Sequence, residues 1–330
     1  MLSLDWLKRI LPRKLFIFIA LLIVLPSIIP VYLTYWMQHP QNNEKTTILI
    51  EKGASLSQIA QTLHQYEVLD SPLLFKSIAY ATGVSQKLKA GEYLIPPSIT
   101  PAQLIHILKS GEVILHSVTL IEGETSHRLV EKIASNVHFQ GACETPEEGT
   151  LLPETYHFPH GTECYIILSR MKKAMNHALE MAWAGRCDNH PLGSSQELLV
   201  LASIIEKETS KAPEKPLVAA VFLNRLKQGM PLQADPTVIY ALTNGREGLG
   251  RALFRGDLKF ESPYNTYLYR GLPPTPIANP SLSSLKAAAH PANVAYLYFV
   301  ADGSGGHAFS ETLGNHQKHH ANWRKIRDKK

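Results

Sequence analysis

Residues Leu198–Thr209 read LLVLASIIEKET, and the chain is organised around them. From Leu198 to Ile205 there is no charge, and Ser203 is the only polar residue; then Glu206, Lys207 and Glu208 arrive together. Ser194 to Glu197 supply a cap and an acidic first turn. A capped apolar run this short predicts a buried core helix and not a membrane span. On that helix Leu199, Ala202 and Glu206 share one face, which puts Glu206 where the buried surface ends. A carboxylic acid against apolar walls loses hydration of its charged form, so the expectation is a raised pKa for Glu206. Protonating a glycosidic oxygen near neutral pH needs such an acid. The plainer alternative is an ion pair that closes the helix, with Lys207 or a distant Arg as partner. Glu208, two residues on, points about 200° away around the helix and is read as orienting neighbouring groups.

More chemistry follows downstream. LQADPTVIYAL (Leu232–Leu242) puts Gln233, Asp235 and Thr237 in what reads as a loop. Amides and carboxylates on a loop between rigid helices suit sugar hydroxyls and N-acetyl groups, though Asp235-Pro236-Thr237 also reads as a plain turn and helix cap. SPYNTYLYRGLPPTPIANPS (Ser262–Ser281) offers Tyr264 and Tyr267 for stacking on sugar rings and Asn265 for an acetamido group, then a rigid proline-dense loop. AAAHP (Ala287–Pro291) and YLYFVADGSGGHAFSETLGNH (Tyr296–His316) come next; the latter holds a buried strand at Tyr298–Ala301, a glycine-rich turn and His307. Upstream, LLPETYHFP (Leu151–Pro159) places Glu154 in a stretch stiffened by prolines.

Taken together and in this order, these segments resemble the YceG-like family of endolytic murein transglycosylases, from about Ile48 to His316. The resemblance implies an enzyme, a lyase that cleaves the β-1,4 bond between N-acetylmuramic acid and N-acetylglucosamine within nascent peptidoglycan strands. It leaves 1,6-anhydro ends and so limits strand elongation. It carries the catalytic role onto Glu206, the first Glu of EKET, and places Glu154 near the site, where the family commonly has Asp; Glu154 is not read as a nucleophile. Glu208, Gln233, Asp235, Thr237, Tyr264, Asn265, Tyr267 and His307 are the supporting or substrate-binding candidates. It implies no metal and no organic cofactor, glycan strands as partner, and peptidoglycan synthases as possible neighbours. Two rivals remain: a non-catalytic scaffold tethering wall to membrane, and a muramidase that uses water.

The N-terminal third sets the organisation. Leu15–Met37 is uncharged, and Lys8, Arg9, Arg13 and Lys14 precede it. Such a length spans the hydrocarbon core, and the basic flank predicts a cytoplasmic N-terminus. The apolar part is too long for a signal-peptide core, and no small-x-small site follows. A single-pass anchor in the bacterial cytoplasmic (inner) membrane, with the rest on the outer, periplasmic side, is the expectation. A pattern then occurs twice: TILIEKGASLSQIAQTL (Thr47–Leu63) and VTLIEGETSHRLVEKI (Val118–Ile133). Each is an apolar strand, Glu and Gly, a Ser or Thr cap and a helix, with Ser55 and Gln58 forming a capping box. Such βα units resemble the LysM modules that hold glycan chains, and a spacer without sugar affinity is the alternative. Helices are predicted at 72–82, 101–110, 165–183 and 216–227 with Gly229 as cap, and a strand at 91–95.

The expected fold class is α+β: a cytoplasmic stretch 1–14, a transmembrane helix 15–37, a LysM-like subdomain 46–116 and a mixed catalytic domain 117–330. The formal charge of +5 is too mild for a nucleic-acid partner, and no basic stripe with aromatics appears. His316, His319 and His320 form HxxHH, but there is no HExxH, so a solvated helix face is preferred to zinc. Cys143, Cys164 and Cys187 allow one disulfide and a free thiol, or three thiols.

Overall fold

The computed structural model describes residues 13–246 and 248–328, except the side chains of 13–16 and 19–27. It is a mixed α+β protein in which α-helices are joined by small two-stranded sheets. The chain forms two compact units, one of residues 1–116 with 159–161, the other of 117–158 with 162–330.

In the first unit, helix α1 (Arg13–Gln38) leads into strand β1 (Thr46–Ile50), helices α2 (Leu56–Gln65) and α3 (Pro72–Ala81), strand β2 (Gly91–Ile95) and helix α4 (Pro101–Ser110). The strands β1 and β2 pair antiparallel, from Thr46 opposite Ile95 to Ile50 opposite Gly91. Their alternation buries Ile48, Ile50, Tyr93 and Ile95 against Leu63 and Phe75 of the helices. The starts of α2 and α4 are fixed by capping boxes, Ser55 with Gln58 and Thr100 with Gln103. The transmembrane expectation rests on side chains of which nearly half lie outside the described residues. Among the described residues, no helix is long and apolar enough to cross a membrane.

The chain passes into the second unit within strand β3 (Leu115–Thr119), which pairs with β5 (Thr155–Pro159), and helix α5 (Ser126–Ala134) follows. Both copies of the repeated pattern therefore fold as strand, turn and helix. The turn glycines, Gly53 and Gly123, have φ of 83° and 74°, a conformation that side chains with a Cβ resist. Strand β4 (Phe139–Gln140) runs parallel to β6 (Thr162–Glu163), and helix α6 (Cys164–Ala184) follows. A disulfide joins Cys143 to Cys164, while Cys187 is free.

Helix α7 (Ser195–Glu208) is the axis of this unit. Every residue from Leu198 to Glu206 is buried, as a helix apolar on all sides requires. It packs on α6, on α8 (Lys215–Lys227), on α9 (Asp235–Thr243) and on α10 (Leu282–Ala289). Three local readings change. Asp235 and Thr237 stand in the first turn of α9 and not in a loop, because Pro236 suits the second helical position and Asp235 the positive end of the helix. Helix α8 closes at Gln228, one residue before Gly229, whose φ is 61°. Strands β7 (Tyr298–Ala301) and β8 (His307–Ser310) form an antiparallel hairpin. All four residues of β7 are half-buried and not fully buried, and α11 (Leu313–Arg327) packs on the strand. The HxxHH residues lie on α11, which has no buried residue.

Candidate active site

At the end of α7 the two glutamates meet opposite environments. Glu206 is 9% exposed and Lys215 2%. Lys215 Nζ donates to Glu206 Oε1 at 2.9 Å. The Ser281 amide and hydroxyl donate to Oε2 at 2.8 and 2.5 Å. Lys215 also donates to the hydroxyls of Ser281 and Ser283 at 3.1 and 2.8 Å. Burial pushes the Glu206 carboxyl up, but the hydrogen bonds from Ser281 and Lys215 outweigh it and hold the pKa below its ordinary value. The expected raised pKa is thus overturned: a hydration shell is missing, but three charge-stabilising donors replace it. The ion pair foreseen as the plainer alternative exists, with Lys215 as the partner instead of Lys207 or an arginine. Lys207 instead donates to the Gly123 carbonyl at 3.2 Å.

Glu208 is half-buried, and its carboxyl is pushed up to about 8. Desolvation is the largest cause and the Asp235 carboxylate adds to it, while Arg225 opposes both. Glu208 thus lies deep in the fold yet keeps part of its surface open. No hydrogen bond among the described residues holds its carboxylate, which explains why desolvation wins here and loses at Glu206. Arg225, 8% exposed, is fixed from behind: its Nε donates to the Leu297 carbonyl at 2.7 Å and its Nη1 to the Leu232 carbonyl at 2.8 Å. Across the cluster, Tyr267 Oη donates to Asp235 Oδ1 at 2.5 Å. Burial, the Asp235 carboxylate and Glu208 all push the Tyr267 phenol up, so it stays a proton donor. The arrangement holds a protonated carboxylic acid at neutral pH, beside a carboxylate and a fixed cation. A group of that kind can give a proton and take one back.

A cavity of about 600 Å³ runs past this end of the helix, lined by Glu122, Thr125, Arg128, Lys207, Pro236 and Tyr240 among others. Lys207 and Pro236 are the sequence neighbours of Glu208 and Asp235. A second cavity of about 830 Å³ lies beside Glu154, Pro216 and Ser283 and is mostly apolar.

The YceG-like family model matches residues 48–322. The chain belongs to the YceG-like family. An endolytic murein transglycosylase of Bacillus subtilis is 34% identical over 313 residues, covering 84% of this chain and 85% of that relative. An endolytic murein transglycosylase of Streptococcus pneumoniae is 26% identical over 344 residues, covering 90% of this chain and 60% of the relative, so the streptococcal protein extends well beyond the shared part. A crystal structure of a YceG-like protein from Listeria monocytogenes superposes with a TM-score of 0.54 at 30% identity, covering 83% of this chain and 98% of that one.

In this YceG-like chain the candidates from the sequence separate into groups. Glu208, Asp235 and Tyr267 come together. Gln233 is next to them in the chain, exposed, with φ of 50° and its amide donating to the Thr266 carbonyl at 3.1 Å. Thr237 and Asn265 are fully buried and serve the scaffold. The Thr237 hydroxyl donates to the Ala234 carbonyl at 2.7 Å. The Asn265 amide donates to the carbonyls of Leu258 and Phe260 at 3.0 and 2.8 Å, and its oxygen accepts from the Tyr267 amide at 3.0 Å. With donors and acceptor engaged, Asn265 shapes the turn that carries Tyr267 and does not reach for an acetamido group. Tyr264 is half-buried against Tyr240 and hydrogen-bonded to Thr275 at 2.6 Å. His307 pairs with Glu214 at 2.7 Å, and Glu214 also accepts from the hydroxyl of Thr209, the residue after Glu208, at 3.1 Å. Glu154 is exposed on the rim of the apolar cavity.

Sequence reading missed Lys215 and Ser281 as the partners of Glu206, and Arg225 as the cation facing Glu208. It also missed Glu148, a half-buried carboxyl whose pKa desolvation raises, which accepts from the Ser126 amide at 2.9 Å and from Asn279 at 3.3 Å. The available signal was that Lys215 and Arg225 bracket the apolar run Pro216–Leu223, since long cations are seldom buried without a partner.

Proposed function

We propose that this protein is a membrane-anchored lytic transglycosylase of peptidoglycan, with Glu208 as its acid and base. The observation that carries the reading is the Glu208 carboxyl, pushed up to about 8 between Asp235 and Arg225 at the end of a rigid helix. The names of the bacillary and streptococcal relatives supply the reaction class. Glu208 gives its proton to the glycosidic oxygen as the bond to the anomeric carbon of N-acetylmuramic acid breaks. Arg225 then faces the new carboxylate. The C6 hydroxyl of the same sugar attacks the anomeric carbon, and Glu208 takes its proton. Water is not consumed, the product ends in a 1,6-anhydro ring, and the acid is restored. One acid suffices, unlike the carboxylate pair of most glycosidases. Desolvation keeps Glu208 protonated, and Asp235, held by Tyr267, adds to that and faces positive charge building on the sugar. In this reading the acid role that the family resemblance carries onto Glu206 is assigned instead to Glu208, and Glu206, clamped by Lys215 and Ser281, fixes the helix end.

The same reading places the anchor at Leu15–Met37 with the remainder outside the cytoplasm, on the strength of the basic flank. It assigns glycan holding to the LysM-like first unit, whose order of strand, two helices and antiparallel strand suits a small binding module. Cleavage within nascent strands would limit their elongation beside the synthases that make them. Mass spectrometry of fragments released from purified glycan strands tests the proposal. Anhydro ends that vanish in Glu208→Gln support it. Reducing ends would make the protein a muramidase, and no fragments would make it a scaffold.

A further inference from the structure

Glu92, His116 and His160 converge within the first unit, far apart in sequence. One carboxylate oxygen and one nitrogen from each imidazole all lie within 4.8 Å of one another. We propose that these three side chains form a zinc-binding site. Two imidazoles and a carboxylate are a donor set that zinc takes. Glu92 Oε2 and His116 Nε2 are 2.5 Å apart, and both side chains are 19% exposed, shielded yet open to an ion from solvent. The His116 and His160 rings stand at 66° to each other with centroids 6.3 Å apart, so both edges can address a common point. Donors around tetrahedral zinc stand about 3.3 Å apart.

The backbone beneath the trio is already set. The Ile114 amide donates to the Glu92 carbonyl at 2.7 Å. Gly91 has φ of 142°, and a Cβ there would come within 2.4 Å of Val113 Cγ1, so the segments bearing Glu92 and His116 are pressed together. His160 arrives on a separate return of the chain, 159–161, with Gly161 at φ of 73°. An ion would therefore tie three remote segments into one unit. A hydrogen-bonded Glu–His pair alone does not call for the second imidazole.

The test uses the full chain in detergent, stripped with EDTA and titrated with zinc chloride by calorimetry. The expected result is a site that His116→Ala and His160→Ala each weaken by more than about 100-fold, beyond what loss of an outer-shell partner does. A variant with His316, His319 and His320 all changed to Ala should keep that site, which separates it from capture by the C-terminal helix. Cobalt in place of zinc should give the intense visible bands of four-coordination in the wild type and not in the two ligand variants. Melting in EDTA should match between these variants and the wild type, so that lost binding is not lost folding; if one variant melts early, Glu92→Gln takes its place. Absence of zinc binding by the wild type, or binding untouched by the ligand variants, overturns the site.

Discussion

At the residue scale, two glutamates two positions apart have opposite chemistry, and substitution separates them. Glu208→Gln keeps shape but cannot donate a proton, and the anhydro-product yield should fall by about 10²–10⁴-fold. The folded pKa of Glu208 is about 8 against an ordinary 4.5, so the native state holds the extra proton between these values. Wild-type stability should therefore fall as pH rises from 4.5 toward 8. Glu208→Gln lacks this loss, and its melting temperature should exceed the wild type's by a margin that grows across that window. Glu206→Gln should behave the other way. It leaves Lys215 buried without its counter-charge, so stability should drop by about 3–5 kcal/mol while the folded fraction keeps turning over. Calorimetric melting and product yield on both variants decide the matter; a stable, inactive Glu206→Gln protein would return the acid role to Glu206. A third change tests the cause of the shift. Asp235→Asn removes a negative charge facing Glu208, so the alkaline limb of the pH–rate profile should move to lower pH. An unmoved limb would mean that desolvation alone sets the acid.

At the scale of elements, helix α7 is rigid because it is surrounded, and the segments around it are held by different means. The Cys143–Cys164 bridge closes a 21-residue separation and pins the segment after β4 to the first turn of α6. In a chain-entropy account such a loop contributes about 3 kcal/mol. Cys143→Ala should lower the unfolding free energy by that order in urea titration while sparing the Glu208 cluster, which lies on α7, α8 and α9. A large loss of cleavage without loss of stability would tie the bridge to the site and contradict this division.

At the scale of the molecule, the proposed topology and the two units make separate demands. A reporter fused after Lys330 should be active only outside the cytoplasm, because basic residues precede Leu15. A cytoplasmic signal would reverse the orientation. Deleting Thr47–Glu112 should weaken retention on glycan strands while leaving some cleavage by the second unit. Retention at the wild-type level would make the first unit a spacer.

Local order was legible in the sequence. The caps at Ser55, Thr100 and Ser194, the repeated strand–turn–helix and the buried run of α7 all follow from side-chain period and from hydrogen bonds spanning three or four residues. The family, too, was legible, because its motifs are contiguous. What the sequence could not decide was which glutamate is the acid. That depends on groups brought up through space: Ser281, 75 residues from Glu206, and Lys215, nine residues away on the next helix. Asp235 and Arg225 reach Glu208 from two further helices. A pKa is set by the distance to charges and donors and by the water excluded around them, and none of these is a property of neighbours along the chain. Asn265 and Thr237 illustrate the same limit: polar residues in a sugar-like pattern prove to be internal struts once their partners are in place.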